Sequence, residues 1–245
     1  MRRTLIVPAA GKGSRLGSDL PKWRVPVAGR PMIDYVLDRH RPYCDYVVLV
    51  VAPASRAAAE ARLAARSQRG AVVVQTEPTG MLDAILLAGD AVVRSAPDRV
   101  WITWCDQVAI SEITASRLAA LDATPDAPTV VMPTVWQNAP YIHFDRDAAG
   151  RLTGVRQRRE GDAMPLVGES DAGLFSLSSG AIARLLPDYA ARAATGTGTG
   201  ERNFLPFLAW VAGVGQVETF TADPIEAVGI NTADDLARLE RHLQG

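Results

Sequence analysis

Over its first 133 residues the chain repeats one alternation, in which short apolar runs are separated by stretches with helical spacing. The apolar runs predict strands at Thr4–Ala9, Tyr46–Val51, Ala71–Gln75, Val100–Trp104 and Thr129–Pro133. The intervening stretches predict helices at Pro31–Arg39, Ala54–Ser67, Gly80–Arg94 and Ser111–Leu121. Strands joined through helices are geometrically suited to parallel pairing, so the pattern predicts an α/β fold with a three-layer, mainly parallel sheet. A ligand of such a sheet sits beyond the carboxyl ends of its strands.

After Pro133 the rhythm changes. Tyr141–Arg146, Leu152–Gln157 and Gly173–Ser176 read as strands separated by turns, with little helix between them. A helix is expected over Ser179–Ala194, followed by the loop Thr-Gly-Thr-Gly-Thr-Gly at 195–200. A short helix at Phe204–Ala212, a strand at Val217–Phe220 and an apolar run Ala227–Ile230 lead to Asn231. The closing helix spans Thr232–Leu243, with Thr232 and Asp235 placed as a capping box. The chain therefore reads as one domain over 1–245, with a first half (1–134), a β-rich subregion (135–230) and a C-terminal helix (231–245).

The first predicted strand runs into Ala9-Ala-Gly-Lys-Gly-Ser-Arg-Leu-Gly-Ser-Asp-Leu-Pro-Lys22, a loop carrying three glycines. It is not a Walker loop, because Gly11-Lys12-Gly13-Ser14 lacks the upstream glycine and the spacing. Nor is it a dinucleotide fingerprint: the glycines fall at 11, 13 and 17, with Leu16 where the third belongs. What fits is a loop whose backbone N–H groups line a triphosphate while Arg15 and Lys22 neutralise it. Only two of the chain's 26 basic side chains are lysines, Lys12 and Lys22, and both lie here. A compact ammonium suits point contact with phosphate. Lys22 reads as an exposed loop residue.

Composition narrows the partners. With 26 basic and 27 acidic residues the net charge is −1, which gives no reason to expect nucleic acid or an anionic membrane. There is no apolar run long enough to span a bilayer. Two cysteines cannot make a disulfide framework, so a reducing cytoplasm is the expected setting. The three histidines show no zinc-ligand spacing. Cys105 reads as a small buried filler, and Trp101, Trp104 and Trp136 as core. A homo-oligomer is compatible with the composition.

Leu5-Ile-Val-Pro-Ala-Ala-Gly-Lys-Gly-Ser-Arg-Leu16, Leu20-Pro-Lys22 and Val25-Pro-Val-Ala-Gly-Arg-Pro-Met-Ile33 resemble the signature of sugar-1-phosphate nucleotidyltransferases. Within that family the likeness is to the uridylyltransferase (pyrophosphorylase) half of bifunctional N-acetylglucosamine-1-phosphate uridylyltransferases. It is dense over 4–37 and recurs in blocks to about residue 241. It implies a Rossmann-like (GT-A-like) fold, Mg²⁺ as cofactor, and an NTP and a phosphorylated small-molecule acceptor as partners. By the resemblance, Pro8, Ala9, Ala10, Gly11 and Gly13 surround the nucleotide, and Gln75, Gly80 and Met81 read the base. Arg15 and Lys22 hold the triphosphate and the transferred phosphoryl group; Asp106 and Asn231 bind the metal. The chemistry asks for such a set, because joining two polyanions needs cations and hard oxygen ligands rather than a protein nucleophile.

The second half departs from the family pattern where the acceptor is chosen. Ala139-Pro140-Tyr141 replaces a glycine-rich turn, and Gln157 stands where a glutamate is expected, with Glu160 available in a shifted register. Asp171 stands where an asparagine is expected. Gln157, Glu160 and Asp171 are thus the candidate acceptor residues, beside an arginine cluster at 156, 158 and 159. The acceptor implied is a sugar 1-phosphate. The alternatives are cytidylyl or guanylyl transfer to a cyclitol, polyol, phosphonate or cofactor phosphate, and a non-catalytic nucleotide-sugar sensor. A glycosyltransferase is disfavoured, since Trp104-Cys105-Asp106 lacks the first carboxylate of an Asp-x-Asp motif.

Overall fold

A computed structural model describes residues 1–11 and 13–244; Lys12, one of the two loop lysines, lies outside the described residues. In chain order the strands are β1 (Arg3–Pro8), β2 (Pro26–Val27), β3 (Arg30–Pro31), β4 (Tyr46–Val51), β5 (Gly70–Val74) and β6 (Arg99–Thr103). They continue with β7 (Val130–Asn138), β8 (Ile142–Arg146), β9 (Leu152–Gln157), β10 (Val167–Asp171), β11 (Leu174–Ser178) and β12 (Val217–Thr221). The α-helices are α1 (Met32–His40), α2 (Arg56–Ala65), α3 (Met81–Leu87), α4 (Gly89–Ser95), α5 (Glu112–Leu121), α6 (Leu186–Ala190), α7 (Pro206–Val211) and α8 (Ala233–Gln244).

Eight strands form the main sheet in the order β10-β7-β11-β6-β1-β4-β5, with β12 alongside β7. The contacts β6-β1, β1-β4, β4-β5 and β12-β7 are parallel, and β11 and β10 run antiparallel to their neighbours. The period-2 alternation of the strands builds two layers of core. Ile6, Val48, Val50 and Ile102 pack on Leu82, Ile85, Val92 and Phe207. Leu5, Val7, Leu49 and Trp101 face the other way, against Ile33, Leu37, Leu63 and Leu118. This is the three-layer α/β arrangement that the alternation predicts.

Three differences have local causes. The helix expected over Ser179–Ala194 is a π-turn at Ala181–Leu185 followed by α6. Pro187 brings no N–H to the regular ladder there, which favours the wider turn. The helix expected over Gly80–Arg94 divides into α3 and α4 at Ala88. β7 runs past Pro133 to Asn138 because β10 pairs with its second half. β10 has no apolar signature in Val-Gly-Glu-Ser-Asp; its polar side chains are bonded instead, as where Arg146 Nε and Nη2 donate to the Glu169 carboxylate at 2.6 and 2.7 Å. The β8–β9 hairpin stands apart as its own two-stranded sheet.

A buried polar cluster stiffens the amino end of the central strands. Asp122 accepts from Arg3 Nη2 (2.6 Å), Trp101 Nε1 (2.6 Å) and Ser176 Oγ (2.7 Å). Every one of those donors meets a charged acceptor, so the carboxylate's burial is compensated.

Candidate active site

A cleft of about 1140 Å³ opens at the other end of the sheet, beyond the carboxyl ends of the parallel strands. Pro8, Ala10 and Gly11 enter it after β1, Ala52–Ala54 after β4, Gln75–Pro78 after β5 and Trp104–Gln107 after β6. The facing wall comes from the later part of the chain: Gln137, Tyr141, Gln157, Asp171 and Asn203 among others. Gly229 and Asn231, just before α8, line it between the two.

The glycine loop folds back onto Lys22. Lys22 N–H donates to Gly11 O (3.2 Å) and Leu16 N–H to Gly13 O (2.9 Å). Gly13 is left-handed (φ +68°), and a Cβ there would lie 3.1 Å from Lys22 Cα. The close approach fixes the lysine backbone. Its Nζ donates to Asn231 Oδ1 at 2.9 Å and forms an ion pair with Asp106 Oδ2. Arg15 Nη2 reaches the same Asn231 oxygen at 3.3 Å. Lys22 is therefore partly buried and ion-paired, which corrects its reading as an exposed loop lysine.

Asn231 is aimed by its surroundings. Its Nδ2 donates to Gly229 O (3.1 Å), and its backbone N–H donates to Asp235 Oδ2 (3.0 Å). Asp235 also takes the Thr232 N–H (2.9 Å) while its own N–H donates to Thr232 Oγ1 (3.2 Å). The capping box of α8 thus sets the asparagine as well as starting the helix. Two hard oxygens, Asp106 Oδ2 and Asn231 Oδ1, converge on one cationic group, here the protein's own ammonium. That donor set fits Mg²⁺, which accepts one or two protein oxygens and keeps water on its other positions.

Of the residues read from the sequence, Pro8, Ala10, Gly11, Gly13, Arg15, Lys22, Gln75, Met81, Asp106, Gln157, Asp171 and Asn231 all line this one cleft. Ala9 is packed into the core behind it, and its N–H donates to Val50 O (2.7 Å). Gly80 is not among the lining residues; its carbonyl accepts from Gln75 Nε2 (3.1 Å), which leaves the Gln75 oxygen free to face a ligand. Glu160 is also off the cleft. Burial pushes its carboxyl up, but bonds from Thr199 Oγ1 (2.6 Å), Asn203 Nδ2 (2.9 Å) and Gly198 N–H (2.8 Å) outweigh that and hold it at about 2.

The arginine cluster divides among structural tasks. Arg156 pairs with Asp145, and Arg158 Nη2 donates to Ala139 O and Pro140 O. Arg159 lies at the cleft and pairs with Glu201 (2.9 Å). Trp101 is core as expected and Trp104 packs against Phe175 and Phe204 at the cleft wall, but Trp136 is 59% exposed. Cys105 is a buried filler, its thiol pushed up to about 12 by burial. Gln107, Gln137 and Tyr141 also line the cleft, and sequence reasoning misses them. A lone amide or phenol carries no motif; the one available signal for Gln107 is its place directly after Asp106.

The open parallel sheet, its glycine loop and the Lys22–Asp106–Asn231 cluster define a nucleotidyltransferase. Residues 5–171 match the family model described as the MobA-like NTP transferase domain, and the chain belongs to that family. It is similar to the "Bifunctional protein GlmU" of Pseudomonas aeruginosa (strain LESB58), 29% identical over 254 residues that cover 100% of this chain and 52% of that protein. The protein of the same name from Sorangium cellulosum (strain So ce56) is 29% identical over 253 residues, covering 99% of this chain and 52% of its own length. That from Cupriavidus taiwanensis is 31% identical over 263 residues, covering 98% and 52%. The chain spans about half the length of the curated relatives it matches. Among the described residues no helix is long and apolar enough to cross a membrane.

Proposed function

We propose that the protein transfers an NMP from an NTP to a sugar 1-phosphate, giving an NDP-sugar and pyrophosphate. A phosphate oxygen of the acceptor attacks the α-phosphorus in line; the bond to the β-phosphate oxygen breaks, and pyrophosphate leaves with that electron pair. Residues 1–134 would hold the NTP, with the loop 8–13 around the phosphates and Gln75 and Met81 at the base. Residues 135–230 would form the acceptor wall, with Gln157 and Asp171 facing the sugar. Lys22 and Arg15 would neutralise the triphosphate and the charge that develops on the leaving group. Asp106 and Asn231 would hold Mg²⁺, which when bound adds charge compensation on the phosphate oxygens.

The observation that carries this reading is the meeting of Lys22, Arg15, Asp106 and Asn231 at the cleft between the two walls, with one cation already placed against two hard oxygens. No side chain there needs to act as a nucleophile, because holding two phosphates in line accounts for the chemistry. The test is a matrix of the four NTPs against phosphorylated acceptors (hexose 1-phosphates, polyol phosphates, a cyclitol phosphate, ethanolamine phosphate), read by pyrophosphate release. Release with at least one hexose 1-phosphate, dependent on a divalent cation, is the expected result. Release with none of the acceptors, or only in pairs lacking a sugar, would overturn it.

A further inference from the structure

The turn 76–80 joins β5 to α3, between Gln75 and Met81, the two cleft side chains assigned to the base. Residues 76–79 are exposed and belong to no strand or helix. Among the described residues, the backbone bonds of 76–82 that leave the turn and its helix both go to one residue, Arg202. Arg202 N–H donates to Thr79 O at 2.7 Å, and Leu82 N–H donates to Arg202 O at 3.1 Å. Gly80 lets the two backbones come this close. Its φ is +119°, and a Cβ there would collide with the Arg202 backbone.

The guanidinium reinforces the contact. It forms an ion pair with Asp83 in the first turn of α3 and donates to Ala190 O at the end of α6. The residues on either side of Arg202 are tied down as well. Glu201 pairs with Arg159 (2.9 Å), Asn203 Nδ2 donates to Glu160 (2.9 Å), and buried Phe204 packs against Trp104 and Phe175. Arg202 is thus fixed by the later part of the chain and in turn holds a turn of the first half.

The consequence reaches Gln75. Its Nε2 donates to Gly80 O at 3.1 Å, and a carbonyl can only accept. Gly80 lies between the two residues bonded to Arg202, so that carbonyl sits where Arg202 puts it. With its nitrogen spent, Gln75 has its oxygen left to take an N–H from a ligand. A turn that drifts releases the amide, which then presents either end. We propose that Arg202 is a positioning residue for the nucleobase: through Gly80 it fixes the Gln75 amide and the start of α3 at Met81. Arg202 is not among the residues lining the cleft, so it acts through the turn. This rests on the proposed NTP transfer, in which Gln75 and Met81 are the base contacts.

The test compares wild type, Arg202→Met and Arg202→Lys by pyrophosphate release with the four NTPs and the best hexose 1-phosphate. Arg202→Met removes the ion pair with Asp83 and keeps an apolar stem. It is expected to raise the KM of the preferred NTP roughly tenfold, about the worth of one hydrogen bond. The kcat and the acceptor KM should stay within about twofold, because the base is bound away from the reacting phosphorus. Preference for that NTP over the next best should fall by a similar factor, which a smaller fraction of folded enzyme would not produce. Arg202→Lys keeps a cation for Asp83 and should recover most of the preference. Gly80→Ala attacks the same contact from the other side and should reproduce the Arg202→Met pattern. An unchanged NTP preference in Arg202→Met or in Gly80→Ala, or equal rises in the KM of NTP and acceptor, would overturn the proposal alone. Wild type that releases pyrophosphate with no NTP and acceptor pair would instead overturn the transfer reading, and this proposal with it.

Discussion

Asp171→Asn tests the state of the buried Asp171 carboxyl at the cleft without any substrate. Burial pushes the Asp171 carboxyl from its ordinary 3.8 up to about 6, and the backbone bond from Gly173 offsets only part of that. The folded state thus holds the proton more tightly than the unfolded chain. Stability from this group is greatest below 3.8, falls as the pH rises toward about 6, and stays reduced above it. The gap is worth about 3 kcal/mol. Asparagine keeps an oxygen for the Gly173 N–H and has no charge to bury. Urea unfolding of both proteins between pH 3.5 and 8 should therefore give curves that nearly coincide in acid. They should diverge to about 3 kcal/mol in favour of the variant by pH 7.5. The subtraction matters, because buried His40, pushed down to about 4 chiefly by desolvation, loses stability in the opposite sense as the pH falls below 6.5. A constant difference across the range, or a variant less stable at pH 7.5, would refute the view of Asp171 as a buried carboxylate without a counter-charge.

Lys22→Met should lower turnover roughly 10²-fold or more, since one preorganised cation in such a site is worth several kcal/mol; wild-type pyrophosphate release would remove it from the mechanism. The same variant should lose about 1–3 kcal/mol of stability by leaving Asp106 without its partner, read by urea unfolding. Asp106→Ala should stay inactive across a Mg²⁺ titration that saturates wild type, and a wild-type-like titration would sink the metal assignment. Glu160→Gln should loosen the loop at Gly198 and Thr199, whose N–H groups it accepts, raising amide hydrogen exchange at those two positions roughly tenfold; unchanged exchange there would show that the Glu160 carboxylate does not hold the loop.

What the sequence made legible follows from the kind of signal each part carries. The parallel half was readable because β1, β4, β5 and β6 are unbroken apolar runs between helices, and their carboxyl ends then locate the cleft. β10 was not, because a strand stabilised by Arg146–Glu169 and by pairing with β7 shows no alternation of its own. Residues tied to a short motif, such as Lys22, Asp106 and Asn231, could be picked out singly, but their contact joins positions 209 residues apart at the extremes and only the fold supplies it. Glu160 illustrates the converse. A carboxylate near the expected position was legible, whereas the loop that consumes its lone pairs lies about forty residues downstream.

The two ends of the cleft stand in opposite electrostatic states. Around Lys22 the protein is internally paired: Lys22 neutralises Asp106 and bonds to Asn231, so a change on either side strands its partner and costs stability. At the Gln107–Asp171 corner, among the described residues, Gln107 Oε1 has no partner and Asp171 has only backbone N–H groups, so replacing either with a group of similar shape relieves a cost.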